Sequence, residues 1–153
     1  MDPTSAPQDL NGWLSSGASF REHVIPSDVG YVHQVQRGIL EHLTAAGYTE
    51  REVFAIKLAV EEAVMNAIFH GNQADARKKV RVAYHVSQNA FFIRVQDEGG
   101  GFDPAAVPDP TRAENLEKPS GRGLLLMRYY MSEVQFLDRG TTVVMCKRRQ
   151  ASS

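Results

Sequence analysis

The sequence has little of what marks a secreted, membrane-spanning or nucleic-acid-binding protein. It contains one cysteine in 153 residues, so no disulfide can form within the chain, and a reducing compartment is expected. No apolar run approaches the ~20 residues that cross a bilayer, and no basic-then-apolar signal pattern opens the chain. The formal net charge is −1, which gives no bulk attraction to nucleic acid or to an anionic membrane. These absences predict a cytoplasmic protein that contacts neither nucleic acid nor a membrane directly.

Three scarce features mark positions of interest. The single cysteine, Cys146, lies in an apolar run and is expected to be a small core residue rather than a nucleophile. A basic cluster, Lys147–Arg149, follows it and is expected to be a solvated strand end. The lone tryptophan, Trp13, lies in a segment otherwise typical of a loose tail, and it is a candidate for pinning that tail to the body.

Hydrophobic periodicity predicts one domain, residues 19–149, between a flexible N-terminal tail (1–18) and a short C-terminal tail (150–153). The predicted elements are a strand at 20–25, a helix at about 28–46 capped by Ser27 or Asp28, a helix from Thr49 to about His70, strands at 80–86 and 90–95, a loop at 102–120, a helix from Gly123 to about Met131, and strands at 133–137 and 141–147. This order predicts an α+β two-layer sandwich with helices on one face of a mixed, mostly antiparallel sheet.

The helix predicted after Thr49 carries polar residues among apolar ones. Apolar side chains form two stripes on roughly opposite sides, so most of its circumference is predicted to be buried. The first stripe is Val53, Ile56, Val60, Ala63 and Ala67, and the second is Leu58, Met65 and Phe69. Glu62 falls within the second stripe and Asn66 follows one turn later, whereas Glu61 is on a third side and is expected to form a solvated pair with Lys57.

A carboxylate and an amide four residues apart on a helix can point into one pocket. The amide oxygen of Asn66 suits Mg²⁺, and the carboxylate of Glu62 can polarise a hydroxyl that attacks a phosphoryl group. A satisfied core pair explains these two residues equally well when they are taken alone. His70, which continues the same ridge, is expected to be a C-terminal residue favoured by the helix dipole.

Two glycine clusters follow. Asp97–Gly101 ends the first hairpin, where glycines allow close backbone approach and the Asp97 carboxylate can accept a hydrogen bond from an amine such as that of adenine. A flexible turn with an Asp cap is the alternative. Ser120–Gly123 opens a helix, and glycines there expose backbone N–H groups to phosphate, while Arg122 either reaches phosphate or a partner or lies in solvent. Gly140–Thr142 places hydroxyls that either bind a base or a water, or are ordinary β-branched strand residues.

The order of these motifs is more specific than any one of them. It resembles the gyrase, heat-shock chaperone and histidine kinase ATPase superfamily (the GHKL or Bergerat fold), and more closely its anti-sigma-factor serine/threonine kinase branch. The resemblance spans about residues 20–148. The residues that carry it are Ile25-Pro26, the run from Glu62 to Ala67 with Asn66, the run from Gly99 and Gly101 to Asp103, and the run from Gly121 to Leu124.

The resemblance implies a role for each candidate residue. Glu62 would be the general base and Asn66 the Mg²⁺ ligand. Asp97 would contact the adenine amine, Gly99 and Gly101 would shape the adenine pocket, residues 102–120 would form the ATP lid, Gly121, Arg122 and Gly123 would bind phosphate, and Thr142 would lie near the base. The chain departs from the pattern at Gly100, an extra glycine that loosens the adenine loop, and in the segment before residue 20.

The same resemblance implies an ATP- and Mg²⁺-dependent protein serine/threonine kinase that phosphorylates an anti-anti-sigma factor, sequesters a sigma factor and forms a homodimer. Two alternatives stay open. One is an ATP-binding regulatory module that sequesters a partner without phosphoryl transfer. The other is a detached catalytic domain of a histidine kinase, which needs a dimerisation helix pair bearing a phosphoacceptor histidine. It ranks last, because the helix at 28–46 carries His33 and His42 but no second long helix is predicted before the ATP domain.

Overall fold

A computed structural model describes residues 10, 12–13, 20–99 and 119–149, with only the backbone for 119–122. Two of the glycines discussed above, Gly100 and Gly101, lie outside this part, as do residues 102–118 of the expected lid. The described elements are β1 (Arg21–Pro26), α1 (Val32–Ala45), α2 (Glu50–Asn66), β2 (Lys79–Val86), β3 (Ala90–Gln96), α3 (Pro119–Tyr130), β4 (Glu133–Leu137) and β5 (Thr142–Arg148).

The five strands form one sheet in the order β1-β2-β3-β5-β4, and every pairing between them is antiparallel. The predicted α+β sandwich is confirmed. The sheet was predicted to be mixed, but among the described residues it contains antiparallel pairs alone. Because strand side chains alternate between faces, Val82, Ile93 and Met145 join the core under the helices. Phe92 and Cys146 point to the other face, which we call the outer face.

The helix α1 begins and ends where local sequence signals predict. The Asp28 carboxylate accepts a hydrogen bond from the Gly30 N–H at 2.8 Å and caps a 3₁₀ turn, Val29–Tyr31, that leads into α1. Gly47 has φ +84°, a conformation that favours glycine at a helix end. Of the two histidines weighed as phosphoacceptors, His33 is exposed, whereas His42 Nδ1 lies 2.7 Å from the Gly38 carbonyl oxygen.

The helix α2 has the predicted capping box at its start but an irregular end. Thr49 and Glu52 exchange side-chain-to-backbone hydrogen bonds of 3.1 and 2.8 Å. The α-helix ends at Asn66, and a π-turn, Ala67–Gly71, continues it. Insertions of this kind are frequent at functional sites. None of the helices within the described ranges is long and apolar enough to cross a membrane.

The outer face of the sheet is covered in part by the N-terminal segment. Within residues 1–18, predicted to be a loose tail, Leu10 and Trp13 are buried. The Trp13 ring stacks on Phe92 with 5.4 Å between ring centroids, and both join Val144 and Cys146 in a second apolar cluster. Cys146 is fully buried there, as expected of a core residue. Burying side chains as large as these contributes roughly 1.5–3 kcal/mol each.

The basic cluster at the end of β5 is partly exposed, as expected of a strand end, and its side chains also bond to groups of the protein. Lys147 donates to the Tyr130 carbonyl oxygen at 2.7 Å, and Arg148 pairs with Glu133 at 2.9 Å. Arg149 pairs with Glu52 at 3.2 Å and lies over the Tyr48 ring at 4.3 Å. The Arg149 contact links the end of the last strand to the start of α2.

Candidate nucleotide-binding site

The first half of the site forms where α2 meets the beginning of α3. A Cβ atom placed on Gly123 would lie 2.9 Å from Glu62 Oε2 and 2.9 Å from Asn66 Nδ2. Gly123 is buried and has an ordinary helical backbone, so its lack of a side chain serves close approach rather than a special φ. The structure therefore brings three of the sequence-predicted residues together.

Glu62 is half-buried and lies within 4 Å of no cation of the described residues. Burial raises the pKa of the Glu62 carboxyl above its ordinary value, and the neighbouring Glu61 carboxylate raises it further. The expected pair between Glu61 and Lys57 is not formed, so the charge of Glu61 acts on Glu62 instead. A carboxylate in this environment is suited to accepting a proton.

The second apolar stripe of α2 is less buried than predicted. Leu58 and Met65 are half-buried, and 46 % of the Phe69 surface is exposed. The helix α3 packs beside this stripe without covering it fully. Glu62 and Asn66 are likewise half-buried rather than enclosed in the core, so a ligand can reach them.

The second half of the site lies around the end of the π-turn. A Cβ atom on Gly71 would overlap the Asp97 carboxyl group, and one on Gly99 would overlap the Gly71 carbonyl oxygen. The loop after β3 is therefore pressed against the π-turn, and only glycine fits at either contact. Because Gly71 follows Asn66 by about one turn, both halves of the site lie at the same end of α2.

Asp97 is held by its backbone and by one of its carboxylate oxygens. Its N–H donates to the Thr141 carbonyl oxygen at 2.8 Å, and its Oδ1 accepts from the Gly99 N–H at 2.8 Å. Burial raises the pKa of the Asp97 carboxyl, although the Gly99 N–H and Lys78 act in the opposite direction. Oδ2 accepts no hydrogen bond from the described residues, and it is the atom that can accept a ligand's amine hydrogen.

Strand register brings Thr141, not Thr142, to Asp97. Thr142 pairs with Gln96, so the next residues along, Asp97 and Thr141, oppose each other on the helix side of the sheet. Thr142 alternates with Val143 and shares the outer face with Val144. The position implied for Thr142 near a bound base thus falls on the wrong side of the sheet, and Thr141 is the threonine beside the site.

Replacing Thr142 by valine is expected to raise the free energy of unfolding by about 1 kcal/mol, because it removes a buried hydroxyl without a partner. Thr142 is 3 % exposed, and its Oγ1 has no hydrogen-bond partner within the described ranges. Urea unfolding measures the change, and nucleotide affinity should stay the same. Thr141→Val is the matched control, because Thr141 lies on the face of the sheet that carries the site. This variant loses a real hydrogen bond, the one that Thr141 Oγ1 donates to the Asp138 carbonyl oxygen at 2.8 Å. Weaker nucleotide binding by Thr142→Val alone would contradict this assignment.

The remaining predicted residues lie at the beginning of α3. The helix starts at Pro119 rather than at Gly123, so Gly121 and Arg122 belong to its first turn instead of preceding it. Proline at a helix start leaves no N–H to satisfy. Free backbone N–H groups in a first turn still suit phosphate oxygens. Gly101 lies outside the described residues.

Sequence reasoning did not assign Gly71 or Asn72 to the site, and of the two threonines in Gly140–Thr142 it chose Thr142 rather than Thr141. Gly71 was interpreted only as a helix stop, but it also contacts Asp97. Thr141 was available from strand alternation, because it lies two residues before Val143 on the core face. Asn72, which is fully buried, had no local signal, since its partners are distant in sequence.

The residues described here do not form a metal site enclosed by the protein. Within the described ranges, no group of three or more His, Cys, Asp or Glu side chains can hold a metal ion. Mg²⁺ often takes only one or two protein oxygens, with phosphates and waters completing its shell. The Asn66 amide, held beside Gly123, offers an oxygen that fits a cation arriving with a nucleotide.

Comparison with protein families decides the class. The family described as "Histidine kinase-like ATPase domain" matches residues 25–147, which include every described residue of the site. The chain belongs to this family. The predicted fold and the predicted ATP-binding activity are confirmed by that match.

Individual relatives place the chain in the anti-sigma branch that the motifs resemble. It is 32 % identical over 129 residues to the serine-protein kinase RsbW of Bacillus licheniformis, covering 80 % of this chain and 79 % of the relative. It is 28 % identical to RsbW of Bacillus subtilis strain 168, covering 88 % of each chain. An anti-sigma F factor of Clostridium perfringens is 35 % identical over 106 residues, covering 65 % of this chain and 75 % of the relative. The prediction of a protein serine/threonine kinase is confirmed at this level.

A solved structure supports the fold. The chain is similar to the crystal structure of the RsbU and RsbW domains of Rv1364c from Mycobacterium tuberculosis, with a TM-score of 0.62 and 20 % identity. The match covers 88 % of this chain but 34 % of that longer chain. At this identity the likeness shows the architecture alone.

Proposed function

We propose that this chain transfers the γ-phosphoryl group of ATP to a serine or threonine of an anti-anti-sigma factor, and that it also sequesters a sigma factor. The observation that carries the proposal is the convergence of Glu62 and Asn66 on Gly123, where α2 meets the first turns of α3. The names of the relatives support the class of partner, because they include serine-protein kinases and anti-sigma factors.

We infer that the nucleotide lies along the end of α2, with adenine at Asp97 and the phosphates at α3. Asp97 offers a carboxylate oxygen that accepts no hydrogen bond from the described residues, and the absence of side chains at Gly71 and Gly99 lets its loop pack against the π-turn. Thr141 stands beside Asp97 as a second polar group for the base. The first turn of α3, with Gly121, points free N–H groups toward phosphate.

In this arrangement Glu62 accepts the proton of the substrate hydroxyl. The hydroxyl oxygen forms a bond to the γ-phosphorus, the bond to the β–γ bridging oxygen breaks, and ADP leaves with that electron pair. Asn66 would hold Mg²⁺, which, when bound, neutralises charge on the phosphates. Half-burial of Glu62 keeps its carboxylate poorly solvated and basic enough for this role.

The proposal extends to assembly and location. A homodimer is expected from the family resemblance, and a cytoplasmic location is expected from a chain whose single cysteine, Cys146, is buried and forms no disulfide. Neither direct nucleic-acid binding nor membrane attachment is part of the proposal, because the net charge of −1 gives no bulk attraction to either.

The test is transfer of label from γ-labelled ATP to a purified anti-anti-sigma factor encoded in the same genome. Label on a serine or threonine of that factor supports the kinase. Nucleotide binding by calorimetry without transfer would instead favour a regulatory module that sequesters its partner. Absence of ADP and ATP binding with Mg²⁺ present would refute the site itself.

A further inference from the structure

We propose that Asn72 is a positioning residue for the adenine end of the site, holding the loop Asp97–Gly99 in its binding conformation before any nucleotide arrives. The inference rests on the proposed nucleotide site and adds to it a residue that contacts no ligand. Asn72 acts through the backbone of Glu98, the residue that follows Asp97.

Asn72 lies where the π-turn ends. Its backbone N–H donates to the Ala67 carbonyl oxygen at 2.9 Å, which closes the turn. Its side chain is fully buried. A buried amide must find partners for its donors and its acceptor, because leaving any of them unpaired costs about 1–3 kcal/mol.

The Asn72 amide is satisfied by three different segments of the chain. Nδ2 donates to Ser27 Oγ at 2.8 Å and to the Lys79 carbonyl oxygen at 3.0 Å. Oδ1 accepts from the Glu98 N–H at 2.7 Å. The Lys79 carbonyl can only accept and the Glu98 N–H can only donate, so these partners fix the orientation of the amide.

Asp97 is consequently held between two anchors. On one side its own N–H bonds to Thr141 of β5, and on the other the next N–H along the chain bonds to Asn72. The Glu98 carboxylate adds a third link by accepting from the Lys79 N–H at 2.7 Å. The neighbouring Gly71 presses on the Asp97 carboxyl group. Asn72 thus connects the π-turn, the residue after β1 and the start of β2 to the Asp97–Gly99 loop, which would recognise adenine.

When a loop is already ordered, ligand binding loses little conformational entropy. A loose loop must lose its conformational freedom on binding, which lowers the affinity. Removing the Asn72 amide should therefore weaken nucleotide binding while leaving the phosphate end intact. Glu62 and Gly123, at that end, share no hydrogen bond with Asn72. The expected signature is a raised KM for ATP with kcat at saturating ATP retained.

The test measures Mg²⁺–ADP binding by calorimetry in the whole chain for Asn72→Asp and Asn72→Ala. Asn72→Asp is expected to raise the dissociation constant about tenfold at neutral pH, because the carboxylate cannot donate to the Lys79 carbonyl. Lowering the pH protonates the introduced carboxyl and restores one donor, so its affinity relative to wild type should recover. Asn72→Ala is expected to bind at least as weakly and to show no such recovery.

A stability control separates positioning from general destabilisation. Arg149→Met removes contacts to Glu52, Gly47 and Gln88 at the opposite end of the sheet. This variant should unfold more easily yet bind Mg²⁺–ADP like wild type. Equal affinity of wild type and both Asn72 variants would overturn the inference and leave the proposed site standing, whereas a wild-type chain that binds no nucleotide would overturn both.

A measurement on the unmodified chain covers the case in which neither variant folds. Glu98 is an exposed residue, and the N–H of such a residue in a loop ordinarily exchanges fast with solvent. Because the Glu98 N–H donates to Asn72 Oδ1, hydrogen exchange of the Glu98 amide is expected to be slow in the absence of nucleotide. Exchange at the rate of an unprotected amide would overturn the inference.

Discussion

Replacing Glu62 by glutamine is expected to slow phosphoryl transfer by about 10²- to 10⁴-fold, the range that one positioned general base contributes. The amide keeps the size of the side chain but does not accept a proton at neutral pH. Affinity for Mg²⁺–ADP should be unchanged, because Glu62 forms no ion pair with the described residues and ADP lacks the reacting group. Single-turnover transfer and calorimetry measure the two quantities separately.

The pH profile gives the same prediction a second readout. Burial raises the pKa of the Glu62 carboxyl, and the Glu61 carboxylate raises it further. Only the ionised form accepts the substrate proton, so the wild-type rate should fall as the pH is lowered through that raised pKa. The residual rate of Glu62→Gln should lack this acid limb.

Glu61→Gln is the matched control for Glu62→Gln, since the two residues are neighbours on α2 and both are half-buried. Removing the Glu61 charge should bring the pKa of Glu62 back toward its ordinary value. The acid limb should then shift to lower pH with the maximal rate near that of wild type. Transfer at the wild-type rate by Glu62→Gln, or loss of transfer by Glu61→Gln alone, would contradict the assignment of the base.

Much of the fold follows from local signals in the sequence. The capping box of Thr49 and Glu52 and the glycine after α1 depend on residues a few positions apart, so the end of α1 and the start of α2 were predictable. Helical periodicity also placed Glu62 and Asn66 on one side of α2, and Gly123 of α3 lies against both. The choice of Glu62 over Glu61 needed nothing beyond the 3.6-residue period.

Features that depend on distant partners could not be predicted in this way. Asn72 bonds to Ser27, which lies 45 residues earlier in the chain, and no local pattern encodes that pair. The π-turn after Asn66 was predicted as ordinary helix because its sequence remains apolar and helix-compatible. The face assigned to Thr142 depended on strand register, in which a shift of one residue exchanges the two faces.

The partial exposure of the second stripe of α2 has the same kind of cause. A periodic pattern shows which side chains share a face, but not how completely another element covers that face. Here α3 leaves Phe69 exposed and the carboxylate of Glu62 accessible. The second apolar stripe is therefore partly exposed, which is a result that only packing determines.

Replacing Asp97 by asparagine is expected to weaken ATP binding by about 10²-fold or more, the other large effect that the structure predicts. In the wild type, Oδ1 accepts the Gly99 N–H, and Oδ2 is available to accept the amine of adenine. In the variant the amide oxygen would be kept by Gly99, so an NH₂ group would face the amine. Two donors then oppose each other in a half-buried position, and neither is satisfied.

The substitution should also change the choice of base. Guanine carries a carbonyl oxygen where adenine has its amine, and a carboxylate rejects that oxygen by charge. The NH₂ group of Asp97→Asn can donate to it, so the preference for ATP over GTP should shrink. Calorimetric titration of wild type and variant with both nucleotides measures the ratio of the ATP and GTP dissociation constants. Partial unfolding would weaken the binding of both nucleotides alike, so it does not change this ratio.

Protonation of Asp97 offers an independent check of the same contact. Burial raises the pKa of its carboxyl, with the Gly99 N–H and Lys78 opposing the shift. Adenine binding that uses the ionised form should weaken as the pH falls through that raised pKa. Asp97→Asn cannot titrate, so its affinity relative to wild type should improve toward low pH. An Asp97→Asn variant that binds ATP as tightly as wild type, with the same preference over GTP, would show that adenine does not lie at this end of the site.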